Sequence, residues 1–258
     1  MKAIKGLLID LDGVLYVGDK AIAGALETLE ECDRLGLPVR FVTNTTTRTA
    51  GEVVEKLQGL GFTVSPGEIF SAVSATVDAL RREKDGNPTV ELVVRESILP
   101  EFETFPRDDE KPDFVVVGDI GAAWSYPLMN RVFRQLMTGA ELLSMHKNKF
   151  FQTHDGLSLD IGAFVEGLEF VTGKTARIIG KPSREFFEAG LRSLGLAAHE
   201  VAMVGDDIDS DVGGAQSAGL QGILVQTGKY RQEIANQSEI QPELVLSSIA
   251  ELPSRIAD

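Results

Sequence analysis

The chain has 258 residues, 43% apolar and 25% charged, with a formal net charge of −14. That length fills one large domain or two unequal ones, and the apolar share excludes disorder. An excess of 39 Asp and Glu over 25 Lys and Arg argues against a nucleic-acid footprint. The apolar runs are about half a dozen residues long against the roughly 20 needed to cross a bilayer, so no membrane partner is expected. Met1 to Lys5 is basic, but only Gly6 to Ile9 precede Asp10, too little for the apolar part of a signal peptide. A single cysteine, Cys32, excludes an internal disulfide or a zinc cluster, and the reading is of a cytoplasmic protein.

In chain order, no repeat of fixed period is present. Instead one unit recurs: an apolar run, then small or polar residues, then an amphipathic stretch. Residues 4–9 predict a strand that ends at Asp10-Leu11-Asp12-Gly13, and 22–35 has helical spacing. Residues 37–42 predict a strand ending at Thr43-Asn44-Thr45, followed by a helix over 50–60. The stretch 78–174 reads as a separate α/β segment. It has strands at 90–94, 114–117 and 141–145, helices near 127–137 and 163–171, and a charged, proline-bearing loop over 100–112. Then 176–179 predicts a strand leading to Gly180-Lys181-Pro182-Ser183 and a helix over 185–194. Residues 201–204 lead to Gly205-Asp206-Asp207 and a helix over 212–218, and 222–225 lead to Gln226-Thr227-Gly228.

Short apolar runs alternating with helical periods predict βαβ units. The expected fold is α/β: a doubly wound, Rossmann-like parallel-sheet core over 1–77 and 175–258, with a smaller α/β cap domain inserted at 78–174. Pro182 and Ser183 suit a helix start, and Gly36, Gly61 and Gly195 sit where helices should stop. In such sheets ligands bind at the carboxyl ends of the strands. Nearly every predicted strand here ends in Asp, Thr, Asn or Lys, so the polar residues converge on one edge.

Asp10 and Asp12 flank Leu11 at a strand end, and Gly13 permits a tight turn. Two carboxylates this close need a cation between them or a proton on one; alone, the pair also reads as an ordinary capped turn. Asp206, Asp207, Asp209 and Asp211 follow another strand. A calcium EF-hand loop starting at Asp207 fails, because Val212 stands where Gly is needed and Ala218 where Glu is needed. Asp206, nearest the strand end, is the expected direct metal ligand; Asp211 is expected to act through water, and Asp207 and Asp209 to be structural or solvated. Lys181, among so many acids, would balance charge and hold a phosphate. Thr43 and Asn44 offer a hydroxyl and an amide at a helix start, as either an N-cap or an anion site. Gly173-Lys174-Thr175 is no P-loop, since Leu168 occupies the position of the required first glycine. His146, His154 and His199 lack metal-ligand spacing, Cys32 reads as a core residue, and Trp124 and Tyr126 read as packing. Together the groups suggest a carboxylate nucleophile, a second carboxyl for proton transfer, a divalent cation and phosphate binders, a set that suits phosphoryl transfer through an aspartyl phosphate.

Asp10-Leu11-Asp12-Gly13-Val14-Leu15-Tyr16, Thr43-Asn44, Gly180-Lys181-Pro182-Ser183 and Gly205-Asp206-Asp207 with Asp211 resemble, in order, the four motifs of the haloacid dehalogenase (HAD) superfamily. Met145-His146-Lys147, Asp155-Gly156-Leu157 and the 222–230 stretch GILVQTGKY further resemble subfamily IIA, which holds NagD-like and phospholysine/phosphohistidine/inorganic pyrophosphate phosphatase-like proteins. Gly118-Asp119-Ile120 departs from the Gly-Leu-Asp of NagD-like members. The resemblance implies Asp10 as nucleophile and Asp12 as general acid/base. It implies Mg2+ held by Asp10, the Asp12 main-chain carbonyl and Asp206. Asp10, Leu11, Asp12, Thr43, Asn44 and Lys181 would surround the phosphoryl group of a small phosphorylated substrate: a metabolite, a phosphoamidate or pyrophosphate. A receiver-like protein that binds metal and phosphate without turnover is the alternative, and assembly as a homo-oligomer stays open.

Overall fold

The computed structural model describes residues 3–153 and 156–256. His154 and Asp155 lie outside the described residues. The chain divides into two compact units, one comprising 1–43, 50–70 and 181–258, the other 44–49 and 71–180. Among the described residues, no helix is long and apolar enough to cross a membrane.

The first unit is built on a six-stranded sheet. Its order is Leu244–Leu246, Gln221–Val225, Val201–Gly205, Gly6–Asp10, Val39–Thr43 and Ile69–Ser71. The Gly6–Asp10 strand lies parallel between its two neighbours, with Ile9 opposite Val204 on one side and Phe41 on the other. Every residue of Gly6–Asp10, Val201–Gly205 and Gln221–Val225 is buried, as expected of strands covered on both faces. Leu7, Ile9, Phe41, Ala202, Val204 and Ile223 pack into one core with Cys32 from Ala25–Arg34 and Val53, Val54 and Leu57 from Ala50–Gly59. The other face carries Arg184–Leu194, where Gly190 lies against Leu8 and the Phe186 ring sits 5.2 Å from Phe70. Ser183 starts that helix by accepting the Phe186 N–H, and Gly195 closes it. Helices on both faces of a parallel sheet make the doubly wound arrangement.

The second unit has its own four-stranded parallel sheet, ordered Arg177–Ile178, Glu141–Ser144, Phe114–Val117 and Val90–Val93. Val115, Val117 and Leu142 pack there against Val132 and Leu136 of Tyr126–Met137 and Val165 and Leu168 of Gly162–Thr172. Two expectations are corrected. The run 176–179 is not a strand of the first unit's sheet: Arg177 and Ile178 pair with Leu143 and Ser144. Only two residues of the run form a strand, both half-buried, and the place beside Gly6–Asp10 is filled by the longer, fully buried Val201–Gly205. Tyr126 is not a packing residue: it is 81% exposed at the first turn of its helix, whereas Trp124 stacks on Phe164 at 4.6 Å. Helix Ala72–Arg81 and the short edge strands Ile69–Ser71 and Leu244–Leu246 went unread in the sequence.

Candidate active site

Asp10 ends its strand opposite Val42, so Thr43 closes the neighbouring strand one residue farther along the same edge. Asp206 follows immediately after Val201–Gly205, whose Val204 is opposite Ile9. Parallel register alone therefore delivers Asp10, Thr43 and Asp206 to one sheet edge. Asn44 is next in the chain and belongs to the second compact unit.

Behind Asp206 the chain makes a wide, π-type turn over Ile208–Gly213. Asp207 caps it, accepting the N–H groups of Asp209 and Ser210 at 3.0 and 2.9 Å. Asp209 stays exposed, but the turn swings Asp211 back towards the strand end, where its Oδ2 accepts the Asp207 N–H. Asp10, Asp206 and Asp211, all buried, then each offer a carboxylate oxygen within 4.8 Å of the others. Lys181 joins two of them: its buried ammonium donates to Asp10 Oδ1 at 2.6 Å and to Asp211 Oδ1 at 2.7 Å.

Three carboxylates around one ammonium leave the cluster short of positive charge. Burial, reinforced by the charge of Asp10, pushes the Asp206 carboxyl up to about 7, against the opposing pull of the Lys229 N–H. Burial likewise pushes Asp211 up to about 6, with Lys181 working the other way. For Lys181 burial acts against the ammonium, yet the charges of Asp10 and Asp211 outweigh it and hold its pKa above the ordinary lysine value. Asp206 Oδ2 accepts the Lys229 N–H at 2.6 Å, while its buried Oδ1 has no hydrogen-bond partner among the described residues. A buried, unpartnered carboxylate oxygen beside two further acids is costly unless a cation meets it. An all-oxygen, carboxylate-rich donor set suits a hard divalent ion such as Mg2+.

Asp12 stands apart from this cluster. It is exposed, on a turn in which Gly13 N–H donates to Tyr16 O at 2.7 Å and Leu15 N–H to Leu11 O at 2.9 Å. The Leu11 side chain is buried in the core. Of the histidines, buried His146 lies 3.8 Å from Asp160 in the second unit, and burial holds its pKa below the ordinary value despite that carboxylate. Asp211 belongs to the carboxylate cluster and is bonded there to Lys181. One residue near the acids has no place in the sequence reading. Lys229 follows the Gln221–Val225 strand at the same edge. The charges of Asp10 and Asp206 hold the pKa of its ammonium above the ordinary lysine value.

A family model described as haloacid dehalogenase-like hydrolase matches residues 7–105, and one described as HAD-hydrolase-like matches 178–252. Haloacid dehalogenase-like hydrolase domain-containing protein 2 of Bos taurus is 40% identical over 241 residues, covering 93% of this chain and 90% of the relative. The phospholysine phosphohistidine inorganic pyrophosphate phosphatase of Rattus norvegicus is 37% identical over 257 residues, covering 97% and 93%. Among solved structures, the 4-nitrophenylphosphatase of Thermotoga maritima superposes with a TM-score of 0.91 at 26% identity, covering 98% of this chain and 97% of the other. NagD of E. coli K-12 superposes with a TM-score of 0.88 at 27% identity, covering 96% and 98%.

Proposed function

The chain belongs to the haloacid dehalogenase-like hydrolases, subfamily IIA, and is a phosphatase; from that premise we propose that it depends on Mg2+ and works through an aspartyl phosphate on Asp10. The observation that carries this reading is the buried convergence of Asp10, Asp206 and Asp211 on one sheet edge, with Lys181 bridging Asp10 and Asp211.

In this reading Asp10, the main-chain carbonyl of Asp12 and Asp206 would hold Mg2+, and Asp211 steadies Lys181. When bound, the ion supplies positive charge that lets carboxylates and phosphoryl oxygens share one small volume. Asp10 attacks phosphorus: its carboxylate oxygen forms the new P–O bond as the bond to the leaving group breaks. Asp12, exposed and outside the carboxylate cluster, gives a proton to the departing oxygen or nitrogen. It then takes one from the water that attacks the phosphorus of phospho-Asp10, which releases inorganic phosphate and restores both carboxyls. Lys181 offsets the negative charge on the phosphoryl oxygens, with the Thr43 hydroxyl, the Asn44 amide and the main chain at Leu11 as further donors. The Leu11 side chain is committed to the core, so only its backbone is available for this role.

The substrate class is a small phosphorylated metabolite, a phosphoamidate or pyrophosphate, a breadth supported by the name of the rat relative. The inserted segment 78–174 is the part proposed to select among them. The relatives do not favour the receiver-like alternative. The reading is tested by phosphate release from a panel of phosphate esters, phosphoamidates and pyrophosphate, with Mg2+ or with excess chelator. Turnover of at least one class with Mg2+ and none in chelator is expected; equal turnover in chelator would refute the metal dependence.

A further inference from the structure

The segment Thr227-Gly228-Lys229 follows the last long strand of the first unit's sheet, and the mechanism above assigns it no task. Its contacts converge on one carboxylate. Thr227 Oγ1 donates to Gly13 O at 2.5 Å, and the Lys229 N–H donates to Asp206 Oδ2 at 2.6 Å. Between these two bonds, Gly228 and Gly13 lie against each other, and both lie against the same oxygen of Asp206. A Cβ on Gly13 would lie 1.9 Å from Asp206 Oδ2, and one on Gly228 would lie 2.1 Å from the same oxygen and 2.3 Å from Gly13 Cα. Both glycines also have positive φ, +91° and +58°. Asp206 Oδ2 thus rests on two bare, touching backbones and is held by an amide, while Asp206 Oδ1 is left buried and unpartnered in a residue that lies beside Asp10 and Asp211.

We propose that Thr227-Gly228-Lys229 is a clamp that orients the Asp206 carboxylate for the divalent cation, with Thr227 as the positioning residue that ties the clamp to the Asp10-Leu11-Asp12-Gly13 turn. This rests on the metal reading above and deepens it. The clamp acts through geometry. A free Asp206 would rotate about χ2 to hydrate both oxygens, whereas the clamped carboxylate has one oxygen spent on Lys229 N–H and the other kept for the ion. The Thr227 bond to the Gly13 carbonyl keeps the two glycine backbones in contact. Without it the loop can lift from Gly13 and take the Lys229 amide with it. Groups that orient a metal ligand are worth about 10- to 100-fold in affinity in other sites.

The test measures metal binding by the full-length chain without substrate. Mn2+ accepts the same oxygen ligands, and its free-ion paramagnetic resonance signal falls as it binds. The proteins compared are the wild type, Thr227→Val, Thr227→Ser, Gly228→Ala and Asp206→Asn. Thr227→Val keeps the shape and removes the donor; it should weaken Mn2+ binding about 10-fold with the thermal midpoint nearly unchanged, and Thr227→Ser should restore the affinity. Gly228→Ala should lose more, since its Cβ meets the Asp206 oxygen. Loss of binding in Asp206→Asn together with wild-type affinity in Thr227→Val would overturn the clamp and leave the metal reading intact. Wild-type affinity in Asp206→Asn would overturn the metal reading and the clamp with it.

Discussion

Replacing Asp206 by Asn should stabilise the metal-free chain while destroying its use for a divalent ion. The asparagine keeps the shape, leaves an oxygen to accept the Lys229 N–H, and turns its NH2 towards Asp10 and Asp211 in place of an unpartnered carboxylate oxygen. The magnitude follows from the displaced carboxyl. Burial and Asp10 lift it from 3.8 to about 7, and one pKa unit corresponds to about 1.4 kcal/mol. The ionised side chain therefore costs the metal-free fold about 4 kcal/mol at pH 8. The folded pKa is raised, so the fold binds more protons than the unfolded chain between the two values. The cost is absent near pH 4, grows as pH rises towards 7 and is complete above it. Urea unfolding in excess chelator, followed by far-UV circular dichroism because the single Trp124 belongs to the second unit, should show Asp206→Asn more stable than wild type at pH 8, with the gap more than halved at pH 5 and gone near pH 4. Added Mg2+ should stabilise the wild type and not the variant. A variant that is no more stable than wild type at pH 8 would refute the idea that Asp206 is a buried charge awaiting a cation.

Asp12→Asn should lower turnover about 10²- to 10⁴-fold, the usual range for a general acid–base group, with Mg2+ affinity retained; steady-state kinetics within a few-fold of wild type would make Asp12 a turn residue only. Lys181→Met removes the ammonium that bridges Asp10 and Asp211. It should cost about 3–5 kcal/mol in chelator at pH 8, as stripping one partner from a buried ion pair does, measurable by the same urea titration. Ca2+ should not replace Mg2+ in phosphate release, since its longer, more numerous ligand bonds would misplace Asp10. Asp206→Ala should raise the Mg2+ concentration needed for half-maximal rate more than Asp207→Ala or Asp209→Ala, whose side chains cap the turn or face solvent.

The strands that lead to Asp10 and Asp206 were legible as unbroken apolar runs with a polar residue at the end, and the strand that ends at Thr43 is apolar but for Arg40. Parallel pairing then puts all such ends on one edge. The run 176–179 obeys the same pattern and still belongs to the other sheet, because periodicity states that a run is buried but not which neighbour it pairs with. Lys181 was nonetheless identified, since its place between the acids depends on the residues after the strand. The π-type turn that brings Asp211 to the cluster is invisible to a 3.6-residue period. Leu244–Leu246 and Ile69–Ser71, three residues each at the sheet edges, are too short to register as a pattern. The grip of Gly13 and Gly228 on Asp206 joins backbones far apart in the chain, and only the folded structure displays it.

The central claim is that Asp10 carries the phosphoryl group during turnover. The direct measurement is a rapid acid quench of the enzyme during turnover of a hydrolysed ester, followed by borohydride reduction and peptide mass spectrometry. Asp10 converted to homoserine, with Asp12, Asp206 and Asp211 unchanged and no conversion without substrate, is the result the account predicts. Turnover with Asp10 unmodified at every quench time, and phosphate release persisting in Asp10→Asn, would contradict it.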